Sequence, residues 1–238
     1  MLFTRLLATA ERLPSLCAVC RGWGTQRVCG ACVERFAIRH PRCRRCALRV
    51  PDGVRLCGAC LNDPPAFAHA LAALEYDHPW DGLIAQFKFH GVLDLAPALT
   101  RRLLAAFEHG EAPAPTLLLP VPLSSERLRE RGYNQAWELA RRLGRALRCP
   151  AEPHLLLRIR DTPHQLAFPP AQRAGNVRAA FAVEPRRLAD VRGRSITIVD
   201  DVMTTGATVS EIARLLLQAG ASEVGVWALA RTPRHDDP

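Results

Sequence analysis

Two adjacent carboxylates, Asp200 and Asp201, stand just before a run of small and hydroxylated residues at positions 204–208. The backbone N–H groups and hydroxyls of such a turn can donate hydrogen bonds to a phosphate, and Gly206 lets the backbone approach it closely. The carboxylates would repel a phosphate, so we expect them to accept hydrogen bonds from hydroxyls of the attached sugar. The residue types and their spacing therefore predict a site for a sugar that carries a 5-phosphate.

The residues around this turn predict a strand before it and a helix after it. Positions 195–199 are rich in apolar β-branched residues, which favour a buried strand. Apolar residues then recur at helical spacing over 209–217, and Gly220 supplies a stop signal. This order is typical of a ligand site at the carboxyl end of a strand in an α/β sheet. The alternative is a plain helix start, in which the acidic residues only favour the helix dipole.

Residues 196–208 resemble the ribose-5-phosphate signature of type I phosphoribosyltransferases, which bind 5-phosphoribosyl-1-pyrophosphate (PRPP). The resemblance implies that the acidic pair holds the ribose hydroxyls and that the threonine-rich loop holds the 5-phosphate. It also implies a type I phosphoribosyltransferase fold of the α/β class, with a central, mostly parallel sheet. The residues that it assigns to PRPP binding are Asp200, Asp201, Met203, Thr204, Thr205, Gly206, Ala207, Thr208, Leu123 and Ser124.

Eight cysteines in the first sixty residues form four CxxC pairs, which are Cys17/Cys20, Cys29/Cys32, Cys43/Cys46 and Cys57/Cys60. Two thiolates on one tight turn can grip one metal ion, and two such turns complete a tetrahedral zinc site. We therefore predict two structural zinc sites in a small zinc-ribbon-like module. Sequential pairing of the turns is the simplest arrangement, and a cross-braced pairing is the alternative. A disulfide scaffold needs an oxidising compartment, and an iron–sulfur cluster is a weaker alternative.

The positive charge of the chain is concentrated in this cysteine-rich module. Eleven arginines and three acidic residues fall within positions 1–60, so the module carries nearly all of the net charge of +9. Eight thiolates with two Zn²⁺ ions would remove about half of that excess. A basic module suggests nucleic acid or another polyanion as a partner. The simpler interpretation is a solvated arginine-rich face.

Lys88 is the only lysine in a chain that otherwise uses arginine for positive charge. It falls near the end of a helix predicted over 79–90. A lysine supplies a compact point charge where arginine supplies a planar fork, so Lys88 suits a pyrophosphate or an anionic acceptor. The alternative is that a single lysine occurs here without a function.

A second strand, polar loop and helix are predicted over 116–121, 122–134 and 133–147. Arg127 and Arg131 are four residues apart, where like charges repel unless an anion lies nearby. Together with Lys88 and the cysteine pairs, the segment from Val121 to Gln135 resembles the ComF/GntX-type family of phosphoribosyltransferase-like proteins. The resemblance implies that this loop receives the pyrophosphate. The residues assigned to catalysis are Asp200, Asp201, Lys88, Arg127 and Arg131.

Residues 159–177 form a long polar segment that contains proline and no clear periodicity. Its pattern resembles the mobile hood of type I phosphoribosyltransferases, which would exclude water during glycosyl transfer. A surface loop without function is the alternative. The residues assigned to the lid are Arg160, Thr162, Gln165, Arg173 and Asn176.

Two functions compete on this basis. The first is an enzyme that binds PRPP with Mg²⁺ and transfers phosphoribose to an acceptor that the sequence does not identify. The second is a non-catalytic PRPP-responsive adaptor whose zinc module contacts single-stranded DNA or a protein of the competence machinery. The ComF-type resemblance implies a role in competence, which is the uptake or processing of transforming DNA.

The domain organisation follows from the cysteines and from a proline-containing linker near positions 62–65. We predict a double zinc-ribbon-like module at 1–62 and a type I phosphoribosyltransferase-like domain at 66–238. No apolar run approaches the roughly 18 residues needed to span a bilayer. The first sixteen residues lack the features of a signal peptide, so we expect a cytoplasmic protein. The oligomeric state stays open, with a homodimer among the alternatives.

Overall fold

The computed structural model describes residues 14–159 and 180–233. The five residues assigned to the lid fall between these two ranges and therefore lie outside the described residues. All other residues assigned to a site lie within them.

The cysteine-rich module is built as two similar halves, each a short hairpin followed by a short helix. In the first half, β1 (Ser15–Leu16) pairs antiparallel with β2 (Trp23–Gly24), and α1 (Gly30–Phe36) follows. In the second half, an antiparallel bridge joins Arg42 to Arg49, and α2 (Gly58–Asn62) follows. In each half one CxxC pair lies in the hairpin and the other lies at the start of the helix. The two halves therefore offer two equivalent sets of four cysteines.

The rest of the described chain alternates strands with helices. Two short 3₁₀ helices, at Leu93–Leu95 and Pro185–Asp190, lie between the main elements. In chain order the main elements are β3 (His69–Glu75), α3 (Trp80–Phe89), α4 (Ala96–Glu108), β4 (Leu117–Pro120), α5 (Ser125–Arg131), α6 (Gln135–Leu147), β5 (Leu156–Arg158), β6 (Phe181–Val183), β7 (Ser195–Met203), α7 (Ala207–Gln218) and β8 (Glu223–Arg231).

Four parallel strands form the central sheet in the order β3-β8-β7-β4. The two inner strands, β7 and β8, are the longest and are buried almost throughout. Both faces of the sheet are covered: α7 packs on one face, while α3, α4 and α6 pack on the other. Strands covered on both faces are largely apolar, as β7 is over 196–199 and β8 over 224–230. The predicted α/β class with a parallel central sheet is confirmed.

Strand β7 is longer than the prediction of 195–199, since it continues to Met203. Its last residues pair with β8, with Asp200 opposite Ala228 and Met203 opposite Arg231. The end of β7 depends on how far β8 offers it backbone hydrogen bonds. Because β8 comes later in the chain, the residues around β7 do not reveal that length. Asp200 and Asp201 consequently belong to the sheet and share its rigidity.

The segment 122–134 was predicted to be a loop, and that prediction is wrong because it contains helix α5. The Ser124 hydroxyl accepts a hydrogen bond from the Arg127 amide at 3.3 Å, which caps the start of the helix. Gly132 ends the helix with φ of +79°, a left-handed conformation that favours glycine. The capping serine and the terminal glycine are both visible in the sequence. The helix was nevertheless not predicted, because its apolar periodicity is weak.

Candidate functional site

The threonine-rich loop lies at the carboxyl end of β7 and leads directly into α7. Gly206 caps the start of this twelve-residue helix with φ of +80°, where most other residues would be strained. Thr204 and Thr205 are exposed, and the Thr205 Oγ1 atom accepts a hydrogen bond from the Ala207 amide at 3.3 Å. The loop therefore presents hydroxyls and a helix N-terminus to solvent, which is the arrangement that binds phosphate. Met203 is buried beneath it.

Alternation along β7 gives the two aspartates different surroundings. Asp201 points into the protein and is 2% exposed, whereas Asp200 is half-buried. The Asp201 backbone amide donates a hydrogen bond to Asp200 Oδ1 at 2.9 Å, which fixes the Asp200 carboxylate. The Asp200 carboxylate is thus held by the backbone of the next residue, whereas the Asp201 carboxylate is held by neighbouring side chains.

Lys88 is the neighbour that holds Asp201. Its Nζ atom reaches from the last turn of α3 to within 2.7 Å of Asp201 Oδ2. The Lys88 side chain is 26% exposed and that of Asp201 is 3% exposed, so the pair is shielded from bulk water. The structure therefore brings the only lysine of the chain to the acidic pair that the sequence singled out.

Gln135 and Arg131 extend this network on the other side of Asp201. The Gln135 amide donates to Asp201 Oδ1 at 3.4 Å, and it accepts a hydrogen bond from an Arg131 Nη1–H group. The Arg131 guanidinium lies over the Phe89 ring, 5.2 Å from its centroid. Sequence reasoning missed the role of Gln135, although it ends the segment that carried the family resemblance. Its burial, at 4% exposed, became apparent only in the fold.

Asn134 places Gln135 at the first position of α6. Its Oδ1 atom accepts hydrogen bonds from the amides of Ala136 at 2.9 Å and Trp137 at 3.2 Å, which caps the helix. Its Nδ2 group donates to the Val121 carbonyl at 3.0 Å. This one side chain therefore ties the start of α6 to the end of β4. Because β4 and β7 are parallel neighbours, the carboxyl end of β4 and the start of α6 lie at the same edge of the sheet as the acidic pair.

The two aspartates differ in how readily they ionise. Burial and the negative charge of Asp201 raise the pKa of Asp200 well above its usual value. Burial would also raise the pKa of Asp201, but the charge and hydrogen bonds of Lys88 lower it below its usual value. Asp201 is therefore the firmly ionised member of the pair, and a cation or hydroxyl donor beside Asp200 would favour its ionisation.

Three residues assigned to the neighbouring loop lie on or beside α5. The pKa of Arg131 is lowered, mainly by its burial and in addition by the positive charge of the nearby Arg127. This agrees with the repulsion expected between them. Ser124 is 3% exposed and its hydroxyl caps α5, while Leu123 is half-buried.

The eight paired cysteines form two clusters by sequential pairing. Within each cluster the four sulfur atoms lie within 4.8 Å of one another, and the clusters are Cys17, Cys20, Cys29, Cys32 and Cys43, Cys46, Cys57, Cys60. Three of the sulfur pairs are 3.6–3.9 Å apart. Thiolates bound at about 2.3 Å to tetrahedral zinc lie about 3.8 Å apart. The sulfur geometry therefore fits one zinc ion in each cluster, and the cross-braced alternative does not apply.

Backbone amides in each cluster favour an ionised thiol. Burial alone would raise the pKa of Cys17, but hydrogen bonds from the amides of Cys29 and Cys20 lower it to about 6. In the same way, the amides of Cys57 and Cys46 oppose burial and lower the pKa of Cys43 to about 7. Burial raises the pKa of Cys32, Cys46 and Cys60, so this hydrogen bonding favours the thiolate that zinc binds at one cysteine of each cluster.

Two family descriptions match the chain, and both agree with this architecture. The family described as "Double zinc ribbon domain" matches residues 12–61, and the family described as "Phosphoribosyl transferase domain" matches residues 135–238. Within the described ranges, no helix is both long enough and apolar enough to cross a membrane.

Three similar proteins carry names that refer to DNA use or competence. "DNA utilization protein YhgH" of Escherichia coli K12 is 36% identical over 92% of this chain and 98% of its own length. "Competence protein F" of Haemophilus influenzae is 31% identical over 90% of this chain and 96% of its own. "Competence protein ComFC" of Bacillus subtilis is 26% identical over 87% of this chain and 79% of its own.

Proposed function

Because the chain belongs to the ComF/GntX family, in which a double zinc ribbon accompanies a phosphoribosyltransferase domain, we propose that it binds PRPP and transfers its phosphoribosyl group. One observation carries this proposal: an acidic pair, of which Asp201 is held by Lys88 and Gln135, lies beside a threonine-rich helix start at the same edge of the sheet. We place the zinc module at 1–62 and the transferase domain at 66–238, as the sequence suggested.

Each part of PRPP has a complementary group at this edge of the sheet. The 5-phosphate suits the loop 204–208, where hydroxyls and the N-terminus of α7 are accessible. The ribose hydroxyls suit Asp200 and Asp201, which are hydrogen-bond acceptors. The pyrophosphate suits Lys88 and Arg131, whose positive charges both lie close to Asp201.

The reaction breaks the bond between the anomeric carbon and pyrophosphate, which leaves with the bonding electrons, and positive charge develops on the sugar ring until a lone pair of the acceptor forms a new bond to that carbon. Asp200 and Asp201 would stabilise that charge, while Lys88 and Arg131 would stabilise the departing anion. Lys88 has three N–H donors, so it can keep Asp201 as a partner and still donate to a PRPP oxygen. Most of the rate acceleration would come from holding these groups in position, since no proton transfer is required at the sugar.

Magnesium would enter with the substrate. Among the described residues, only the two cysteine clusters bring together ligand atoms from three or more histidine, cysteine, aspartate or glutamate side chains. The donors near the acidic pair are therefore too few for a protein cage, and Mg²⁺ commonly relies on phosphate oxygens and water. Bound in that way, it would neutralise pyrophosphate.

Calorimetry with PRPP, with and without Mg²⁺, tests the proposal directly. We expect wild type to bind and the double variant Asp200→Asn/Asp201→Asn to lose most of its affinity. Asp190→Asn is the matched control, because Asp190 is an exposed carboxylate paired with Arg187 outside the proposed site. Absence of binding by wild type, or equal binding by the double variant, would contradict the proposal. Pyrophosphate release in the presence of an acceptor then separates transfer from binding alone.

A groove favours the second candidate function, a nucleic-acid-binding adaptor. It has a volume of about 960 Å³ and lies between the zinc module and the outer edge of β3 and α4. Arg39, Arg55 and Arg102 line it, and in the described part of the chain none of them forms an ion pair with a carboxylate. Burial and the charges of Arg101 and Arg39 lower the pKa of Arg102. Arginines outnumber the three glutamates that also line the groove, Glu34, Glu111 and Glu223, and such an excess of positive charge favours a polyanion.

Fluorescence anisotropy with a labelled single-stranded oligonucleotide tests this second candidate. We expect affinity to fall with salt and the variant Arg39→Ala/Arg102→Ala to show a smaller slope, by about 0.7 for each phosphate that the variant no longer neutralises. Arg214→Ala is the control, because Arg214 is an exposed arginine on α7. No binding at low salt, or an equal slope for both variants, argues against the adaptor.

A further inference from the structure

We propose that the second cysteine cluster, Cys43, Cys46, Cys57 and Cys60, positions the loop 204–208 through Arg231. The zinc site is then a supporting part of the phosphate site, in addition to stabilising its own module. This inference rests on the proposed function, since it assigns the 5-phosphate to that loop. Three separate contacts lead from this cluster to the loop.

Arg231, the last residue of β8, makes the first contact. Its side chain is buried, with the residue 3% exposed. The Nε–H group donates to the carbonyl of the cluster residue Cys46 at 3.1 Å. The Nη1 group donates to the Met203 carbonyl at 2.9 Å and also to the Thr204 carbonyl. One planar guanidinium, with its donors in fixed directions, therefore joins a cysteine of the cluster to the beginning of the loop.

The linker between the two parts of the chain makes the second contact. Arg45, which lies inside the CxxC turn, donates from Nη2 to the Pro65 carbonyl at 3.3 Å. The next amide, that of Ala66, donates to the Ser210 hydroxyl at 3.1 Å. Ser210 lies in the first turn of α7, immediately after the loop. The linker is consequently held at one end by the cysteine turn and at the other by the helix that the loop begins.

Apolar packing makes the third contact. Ala47, directly after the CxxC turn, is fully buried and belongs to the same apolar cluster as Phe67 and Met203. A Cβ placed on Gly206 would lie 3.8 Å from Phe67 Cζ and 3.7 Å from Met203 Sδ. Phe67 therefore packs against the glycine that shapes the loop and belongs to the same apolar cluster as the residue that follows the cysteine turn. Movement of the turn would be transmitted to the loop because packed interiors deform little.

The first cysteine cluster contacts a different part of the molecule. Cys17 and Cys32 pack into the core on the opposite face of the sheet, together with Trp80 at the start of α3. The Trp80 indole N–H donates to the Phe36 carbonyl at 2.8 Å, next to the end of the cysteine-bearing helix α1. Since the two clusters are built alike but dock on different elements, the first is a matched control for the second.

The test compares ribose 5-phosphate with inorganic pyrophosphate as calorimetric ligands of the full chain. Ribose 5-phosphate reports on the loop together with the acidic pair, whereas pyrophosphate reports on Lys88 and Arg131. We expect Arg231→Lys, which keeps the charge but not the fork, to weaken ribose 5-phosphate binding about tenfold, within the usual range of coupling between sites. Pyrophosphate binding should change less than about twofold, as it should for an uncoupled site. Equal weakening of both ligands, or no weakening of either, would overturn the proposal.

Cys46→Ser and Cys20→Ser extend the comparison to the metal sites. Each variant should lose one zinc, measured by elemental analysis, but only Cys46→Ser should weaken ribose 5-phosphate binding. Equal effects of the two variants would count against a specific role for the second cluster. If Cys46→Ser fails to fold, the Arg231→Lys result decides the matter.

Hydrogen exchange tests the positioning of the loop independently of the proposed function. If wild type binds none of PRPP, ribose 5-phosphate and pyrophosphate, the proposed function has failed. Positioning of the loop is then judged by amide exchange at 203–207 in Arg231→Lys. Faster exchange confined to that loop and the cysteine turn supports the coupling, and unchanged exchange refutes it.

Discussion

The Lys88 ammonium lies 2.7 Å from the Asp201 carboxylate, and the two residues come from helix α3 and strand β7. This ion pair joins the only lysine of the chain to the buried member of the acidic pair. Burial by itself would lower the pKa of Lys88, but the charges of Asp201 and Asp200 raise it. Both partners therefore remain charged across the physiological pH range, and each depends on the other to offset its desolvation.

Removing Lys88 should destabilise the fold because it leaves Asp201 charged and buried. We expect Lys88→Met to lower the free energy of unfolding by about 3 kcal/mol, the lower end for breaking a buried pair, since part of Lys88 is exposed. The double variant Lys88→Met/Asp201→Asn should recover much of the loss. Urea unfolding measures both effects. Arg214→Met, which breaks an exposed pair with Glu211, should cost less than about 1 kcal/mol. Equal losses for the two single variants would contradict this account.

Asp200→Asn should stabilise the ligand-free protein while weakening PRPP binding. Because the pKa of Asp200 is raised in the folded state, its contribution to stability is present below about pH 4 and is lost as the pH rises through its folded pKa. The variant avoids that loss, so we expect a gain of about 0.5–2 kcal/mol at neutral pH.

Thermal unfolding at several pH values measures the effect of Asp200→Asn. The difference in Tm between the variant and wild type should grow as the pH rises above about 4. A variant that is less stable than wild type at neutral pH would show that burial does not disfavour the Asp200 carboxylate.

Gly206→Ala should strain the loop 204–208. An alanine at φ of +80° costs about 1–2 kcal/mol, and the loop can relieve that strain only by changing shape. We expect reduced stability together with weaker ribose 5-phosphate binding. Gly53→Ala is the matched control, because Gly53 has φ of +79° with nothing within 4 Å of its Cβ position. It should lose similar stability and retain binding, so loss of binding in both variants would speak against a local role for Gly206.

Pairs of cysteine substitutions test the sequential arrangement of the zinc sites. We expect wild type to hold two zinc ions per chain. Cys17→Ser/Cys29→Ser removes two ligands from one cluster and should leave one ion, whereas Cys17→Ser/Cys43→Ser removes one ligand from each cluster and should leave none tightly bound. Elemental analysis after dialysis counts the ions. The reverse result would show that the turns are cross-braced in solution.

The sequence by itself determined the features that depend on neighbouring residues. The four CxxC turns, the strand at 195–199 that precedes Asp200 and Asp201, and the glycine that starts α7 all follow from local spacing and backbone preference. The family could also be identified from such short segments, because the residues that form each motif lie close together in the chain. The two zinc sites and the α/β class were predictable for the same reason.

Only the tertiary structure decided which of these segments meet. Sequential pairing of the cysteine turns, the length of β7, and the contacts of Lys88 and Gln135 with Asp201 all depend on partners distant in the chain. Arg231 gave no sequence signal at all, since its importance lies in the carbonyls that surround it. Local preferences cannot specify such contacts, because they arise when the burial of apolar faces brings the two sides of the sheet and the cysteine turns together.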